Sequence, residues 1–156
     1  MTTKRVLGRA IVATWMCGWL TSCGGGKPVD VIFTLTGNDA MQYSQKMFET
    51  TAPANVTVHF KNVGKMPKQS MGHNFVLLKA GRNPLEFAGK CLSEGAKAEN
   101  EFLPESLRGD VLAYTKILGP DEEETLVVKL DKPGTYSYVC TFTGHGAIMR
   151  GEIVVK

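Results

Sequence analysis

Residues 53–64 read PANVTVHFKNVG, with Val56, Val58 and Phe60 alternating against Thr57, His59 and Lys61. A period of two sends successive side chains to opposite faces of a strand, so this segment has one apolar and one solvated face. An apolar sheet face must be covered, and short strands separated by turn signals cover it with a second sheet. Further β-rich runs stand at 29–36 (VDVIFTLT), 73–80 (HNFVLLKA), 126–130 (LVVKL), 134–140 (GTYSYVC) and 151–156 (GEIVVK), with the turn DKPG joining two of them. The expectation is an all-β sandwich. One segment interrupts it: PLEFAGKCLSEGAKAEN, 84–100, places Leu85, Ala88, Leu92 and Ala96 at helical spacing behind Pro84. That predicts a short helical flap, although Gly89 and Gly95 weaken it. PDEEE at 120–124 reads as a solvated loop, and His59 as a surface residue.

The chain begins MTTKRVLGRAIVATWMCGWLTSCGGGKP. Lys4, Arg5 and Arg9 form a basic head, Ala10 to Leu20 is mostly apolar, and Leu20-Thr21-Ser22-Cys23 follows. Basic head, short apolar core and small residues make a secretory signal, and the apolar run is too short to span a bilayer. The ending resembles a bacterial lipobox. That resemblance implies a signal peptide over 1–22, lipid on Cys23, a flexible tether over 23–28 and a single domain over 29–156. The protein is then exported and anchored on the periplasmic side. Gly24 stands where an Asp often marks inner-membrane retention, and the choice between inner and outer membrane stays open. Loss of 1–22 removes three of the 18 basic residues and none of the 15 acidic ones, leaving a formally neutral chain. No basic surface for nucleic acid is implied.

Cys17 lies within the signal and Cys23 takes the lipid, which leaves Cys91 and Cys140. A disulfide between them is the default for an exported protein. The surroundings of Cys140 argue for something else. In CTFTGHGAIMRG, 140–151, Cys140, His145 and Met149 stand between the last two strands with C-x4-H-x3-M spacing, and Gly144 and Gly146 let the chain turn at the histidine. Each residue alone has an ordinary reading: a buried thiol, a loop histidine, a core methionine. Together, thiolate, imidazole and thioether are soft and borderline ligands that suit copper. MGHN, 71–74, supplies His73 at the start of a strand, and a sandwich can bring that strand end beside the final loop. Cys91 is then expected as a free, mostly buried thiol.

The two motifs MGHN and CTF-GH-A-M, with TGNDAMQY (36–43) and AYTKILG (113–119), resemble the azurins of the cupredoxin family over residues 29–156. The resemblance implies an eight-stranded Greek-key sandwich with a helical flap and one type 1 copper. It implies His73, Cys140 and His145 as strong equatorial ligands, Met149 as a weak axial ligand and the Gly72 carbonyl opposite it. Asn74 would tie the ligand loops together, and the N–H groups of Asn74 and Phe142 would point at the Cys140 sulfur. His145 would lie under an apolar docking patch with Met71, Phe142, Ala147 and Ile148, and with Met41 at its margin. The implied function is one-electron transfer between transient redox donor and acceptor proteins, with no enzymatic activity and no small-molecule substrate. A copper storage or delivery protein is the alternative, as is a redox domain in stable complex with an oxidase. The chain has no Met-rich or His-rich tract of the kind storage proteins often use. It departs from the azurin pattern in lacking an N-terminal cysteine pair and in Thr143, Tyr114 and Phe75, which bear on tuning and partner choice.

Overall fold

A computed structural model describes residues 26–156. The signal peptide expected over 1–22, Cys23 and the first part of the expected tether lie outside the described residues. The elements, in chain order, are β1 (Val29–Asn38), β2 (Gln42–Tyr43), β3 (Met47–Thr50), β4 (Ala54–Asn62), α1 (Lys68–Met71), β5 (Val76–Leu78), α2 (Pro84–Ser93), β6 (Val111–Tyr114), β7 (Glu123–Leu130), β8 (Gly134–Val139) and β9 (Arg150–Val155). They form two mixed sheets, ordered β2-β1-β4-β7 and β3-β9-β8-β5-β6. The expected sandwich is present, and the two-residue β2 makes a ninth strand among the described residues.

Alternation places the core. Phe33 and Leu35 of β1, Val56, Val58 and Phe60 of β4, and Val128 and Leu130 of β7 face inward. They meet Phe75, Leu77, Tyr136, Tyr138 and Ile153 of the other sheet. Tyr138 sits among Phe33, Tyr43 and Phe75 at ring-centroid distances of 5.7, 5.3 and 5.2 Å. Its hydroxyl donates to the Gln45 carbonyl at 2.7 Å, so the polar end of a buried ring is satisfied. Phe75, directly after the MGHN motif, is fully buried in the same cluster.

The run 73–80 reads as continuously apolar because β5 is covered on both faces. Leu77 points into the sandwich, whereas Val76 and Leu78 join Phe87, Cys91, Leu103, Leu107 and Val139 in a second cluster beneath α2. The strand itself is shorter than the run, three residues.

The structure corrects three expectations. First, α2 begins at Pro84 behind an Asn83 cap, whose side chain accepts from the N–H groups of Leu85 and Glu86, but it ends at Ser93. The chain turns at Gly95, whose φ of 82° suits glycine. Second, the apolar stripe is misplaced: Leu85 and Leu92 are 52% and 56% exposed, and Phe87 and Cys91, four residues apart, are the buried pair. Third, Glu123 and Glu124 belong to β7 and not to a loop. Glu123 lies opposite Lys61, and the Glu124 carboxylate accepts the Lys116 N–H at 3.1 Å. Opposite charges across an edge pair favour the strand and discourage further pairing. The strands β2, β3 and β6 lie outside the runs read as strands from the residues. His59 is exposed and hydrogen-bonded to Thr125 at 2.7 Å, in keeping with a surface role.

Candidate metal centre

One end of the sandwich gathers the residues that the motifs singled out. His73 follows α1 and Gly72, and a two-way backbone bridge locks it to Leu118: its N–H donates at 3.0 Å and its carbonyl accepts at 2.7 Å. Gly72 has no room for a side chain, since a Cβ would meet Ile117 and the Lys68 carbonyl. Cys140 comes directly after β8, and its N–H donates to the Met149 carbonyl at 3.0 Å. Between them the loop closes on itself through His145 N–H to Phe142 O, 3.0 Å, and Met149 N–H to His145 O, 2.8 Å. Gly144 takes φ 82°, the left-handed turn that glycine permits. Gly146 lies against Ala88 of α2, where a Cβ would clash, so the helical flap covers the loop. Arg150 reaches back to donate to the carbonyls of Gly146 and Ala147.

Sequence positions 73, 140 and 145 therefore converge. His73 Nδ1 and His145 Nδ1 are 3.2 Å apart, and Cys140 Sγ lies 3.7 Å from His145 Nδ1. All three donor atoms fall within 4.8 Å of one another and all three residues are buried. Met149 is fully buried too. A Cβ placed on Gly37 would come within 2.8 Å of the Met149 methyl and 3.2 Å of His73 Cδ2, so the thioether end and the imidazole share one small space.

Burial dominates the electrostatics of these residues. Burial, and then the neighbouring His73, push the His145 imidazole down to about 4. Burial also lowers His73, with the Asn38 carbonyl and Asp39 opposing. Burial pushes the Cys140 thiol up to about 12, and the backbone N–H groups of Asn74 and Phe142 pull it back. Two neutral imidazoles whose Nδ1 atoms face each other at 3.2 Å have one proton to share at most. Among the described residues His73 Nε2 finds no hydrogen-bond partner. A thiol and two imidazoles around one point, with the end of a buried methionine in the space beside His73, match the soft and borderline set that copper takes. These residues fit such an ion without rearrangement of the fold.

Asn74 joins the two loops. Its Nδ2 donates to Thr141 Oγ1 at 2.8 Å and to the Glu101 carbonyl at 3.2 Å, and its Oδ1 accepts the Thr141 N–H at 2.8 Å. Its own carbonyl accepts from the Tyr43 hydroxyl at 2.5 Å. Phe142 is buried and its ring lies on His145 at 4.6 Å. Ala147 and Ile148 are exposed beside it, while Met41 and Met71 are half-buried. Cys91 and Cys140 are both free thiols, in separate hydrophobic clusters.

Reading the sequence residue by residue missed Gly37, Tyr43, Thr141, Glu101, Phe102 and Arg150. Gly37 carried a signal, since a glycine inside a strand often marks a close approach. The others had none, because each acts through a partner distant in sequence.

A family described as "Copper binding proteins, plastocyanin/azurin family" matches residues 29–156. Azurin of Bordetella pertussis is 37% identical over 126 residues, which cover 76% of this chain and 79% of that protein. Outer membrane protein H.8 of Neisseria gonorrhoeae is 35% identical over 126 residues, covering 78% of this chain and 66% of its own length. Among solved structures, the azurin Az-iso2 of Methylomonas sp. strain J is 33% identical with a TM-score of 0.67, covering 81% of this chain and 98% of that one.

At neutral pH the thiol keeps its proton and both imidazoles are uncharged. Loading the metal-free protein with Zn(II) at pH 7 should therefore release about one proton per ion, that of Cys140. Calorimetry in two buffers of different ionisation enthalpy measures it. Release of none, or of two, would contradict the protonation states derived above.

Proposed function

The chain belongs to the plastocyanin/azurin family of copper binding proteins, and from that premise we propose that His73, Cys140 and His145 would hold one copper. Met149 and the Gly72 carbonyl would complete the set in this reading. The observation that carries it is the convergence of three buried donor atoms within 4.8 Å. The protein is a blue copper electron carrier, and when bound, copper supplies a one-electron couple between Cu(I) and Cu(II).

The protein's own residues make that couple usable. The core and the Asn74 ties hold the donors in place, so little has to move when charge changes. Burial excludes water from the sulfur. Two backbone N–H groups stabilise the thiolate, which favours the reduced state. His145 is only 3% exposed, and the apolar Ala147 and Ile148 stand at the surface beside it. We read Met41, Met71, Ala147 and Ile148 as the docking patch, with Phe142 beneath. Small, dry contacts of this kind suit partners that must part quickly. Ligands buried this deeply favour a carrier over a protein that stores or delivers copper, and leave no reach for a substrate as an enzyme would need.

Outside the described residues, Leu20-Thr21-Ser22-Cys23 supports export and a lipid on Cys23, on the periplasmic side of a bacterial membrane. A relative of 35% identity named for the outer membrane is consistent with that reading.

Cys140→Ser should abolish the intense visible band of the Cu(II) protein, because the band needs a thiolate, and Met149→Gln should keep it while lowering the reduction potential. A Cys140→Ser protein that stays blue would exclude Cys140 as a ligand. Ile148, 50% exposed, separates docking from packing. Ile148→Lys should slow electron self-exchange by roughly tenfold or more, since two like charges must then meet, while spectrum and potential hold. An unaffected self-exchange rate places the docking face elsewhere. Mass spectrometry of the native N-terminus should find a diacylglyceryl-modified Cys23 as the first residue; an unmodified Cys23, or a different start, excludes the anchor.

A further inference from the structure

The turn that follows the helical flap approaches the metal centre without donating a ligand. Glu101 and Phe102 both have left-handed backbone, with φ of 54° and 56°. Residues with side chains adopt that conformation rarely, and two in succession persist only where the surroundings hold them. Two sets of contacts hold these. The Glu101 carbonyl accepts from Asn74 Nδ2 at 3.2 Å, and its carboxylate accepts the Ile117 N–H at 2.6 Å. Ile117 immediately precedes Leu118, the residue bridged to His73. The Phe102 ring lies on Phe142 at 4.5 Å with 34° between planes, and Phe142 lies on His145 at 4.6 Å.

Asn74 and Phe142 are also the two residues whose backbone N–H groups pull the Cys140 thiol back from the rise that burial causes, and they sit directly beside the buried donors, Asn74 next to His73 and the Phe142 ring on His145. One is reached by the first residue of the turn and the other by the second. The turn is itself anchored on the Ile117 N–H and from there reaches both of these residues.

We propose that the Glu101–Phe102 turn is a positioning element for the Cys140 sulfur: Glu101 steadies Asn74 from one side, Phe102 steadies Phe142 from the other, and their shared backbone keeps the two N–H groups aimed at one point. The proposal rests on the reading of Cys140 as the metal's thiolate. Glu101 and Phe102 act through Asn74 and Phe142 and touch no ligand in this role. Loss of the Glu101 carboxylate frees the turn from the Ile117 N–H and so loosens the carbonyl that holds Asn74, and loss of the Phe102 ring loosens Phe142; both lower the stabilisation of the thiolate and of the reduced metal.

The test uses Glu101→Ala and Phe102→Ala, with Glu101→Gln and Phe102→Tyr as conservative partners that keep an acceptor and a ring. In the metal-free protein, amide hydrogen exchange at Thr141 and Phe142 should quicken about tenfold or more in the alanine variants, as expected when a local opening becomes easier. In the copper-loaded protein their reduction potential should fall and their charge-transfer band should shift. Glu101→Gln and Phe102→Tyr should stay near the parent in all three readouts. If Phe102→Ala does not fold, Phe102→Leu, which keeps apolar volume without the ring, carries the test. Alanine variants that unfold more easily in urea but keep parental exchange, band and potential would overturn the proposal. Absence of a blue band in the parent protein would overturn the copper reading instead, and exchange in the metal-free variants would still decide the positioning role.

Discussion

The centre depends on one side-chain amide. Asn74 is fully buried, and its side chain and carbonyl bond to four groups: Thr141 N–H, Thr141 Oγ1, the Glu101 carbonyl and the Tyr43 hydroxyl. Its backbone N–H pulls the Cys140 thiol back from the rise that burial causes. Through it, a histidine loop and a cysteine loop separated by 67 residues become one body. Buried polar groups left without partners cost on the order of 1–3 kcal/mol each. Loss of this amide would strand several at once, so the arrangement is held by the same penalty that keeps polar groups out of cores.

Burial supplies the second constraint. His73, Cys140, His145 and Met149 are nearly or fully inaccessible, and the desolvation that comes with burial favours the uncharged forms of the two imidazoles and the thiol. An ion among them therefore meets lone pairs and a displaceable thiol proton in place of competing water. Close approach is possible because glycine occupies the tight positions. Gly37 leaves room for the Met149 methyl beside His73, and Gly146 lets α2 pack onto the ligand loop. The helical flap is thus part of the site's enclosure, although its own ligand-free sequence gives no hint of that duty.

Legibility followed the range of the interactions. The strands 29–38, 54–62 and 134–139 were readable because period-two alternation is local and strong. The helix start was readable at Pro84, where the cap is local as well. The buried face of α2 was not. Leu85 and Leu92 have the more apolar side chains, but β5 and β8 lie on the side of Phe87 and Cys91, and packing against those strands chose the face. Glu123 and Glu124 were read as loop because charge runs usually are, whereas pairing with β4 recruits them into the edge strand.

The four expected ligand residues were identifiable because donor chemistry and close spacing travel together in the chain: C-x4-H-x3-M is itself a local pattern, and MGHN supplies the remaining imidazole. By itself, then, the sequence determined the sandwich, the donor set and the loop that carries three of its members. Tertiary structure alone decided that His73 Nδ1 stands 3.2 Å from His145 Nδ1, that Gly37 makes space beneath Met149, and that Glu101 and Phe102 bear on the donors of Cys140. The physical reason is that alternation and spacing are properties of neighbouring residues. Hydrogen bonds and ring contacts between segments tens of residues apart exist only once two sheets have closed on a common core.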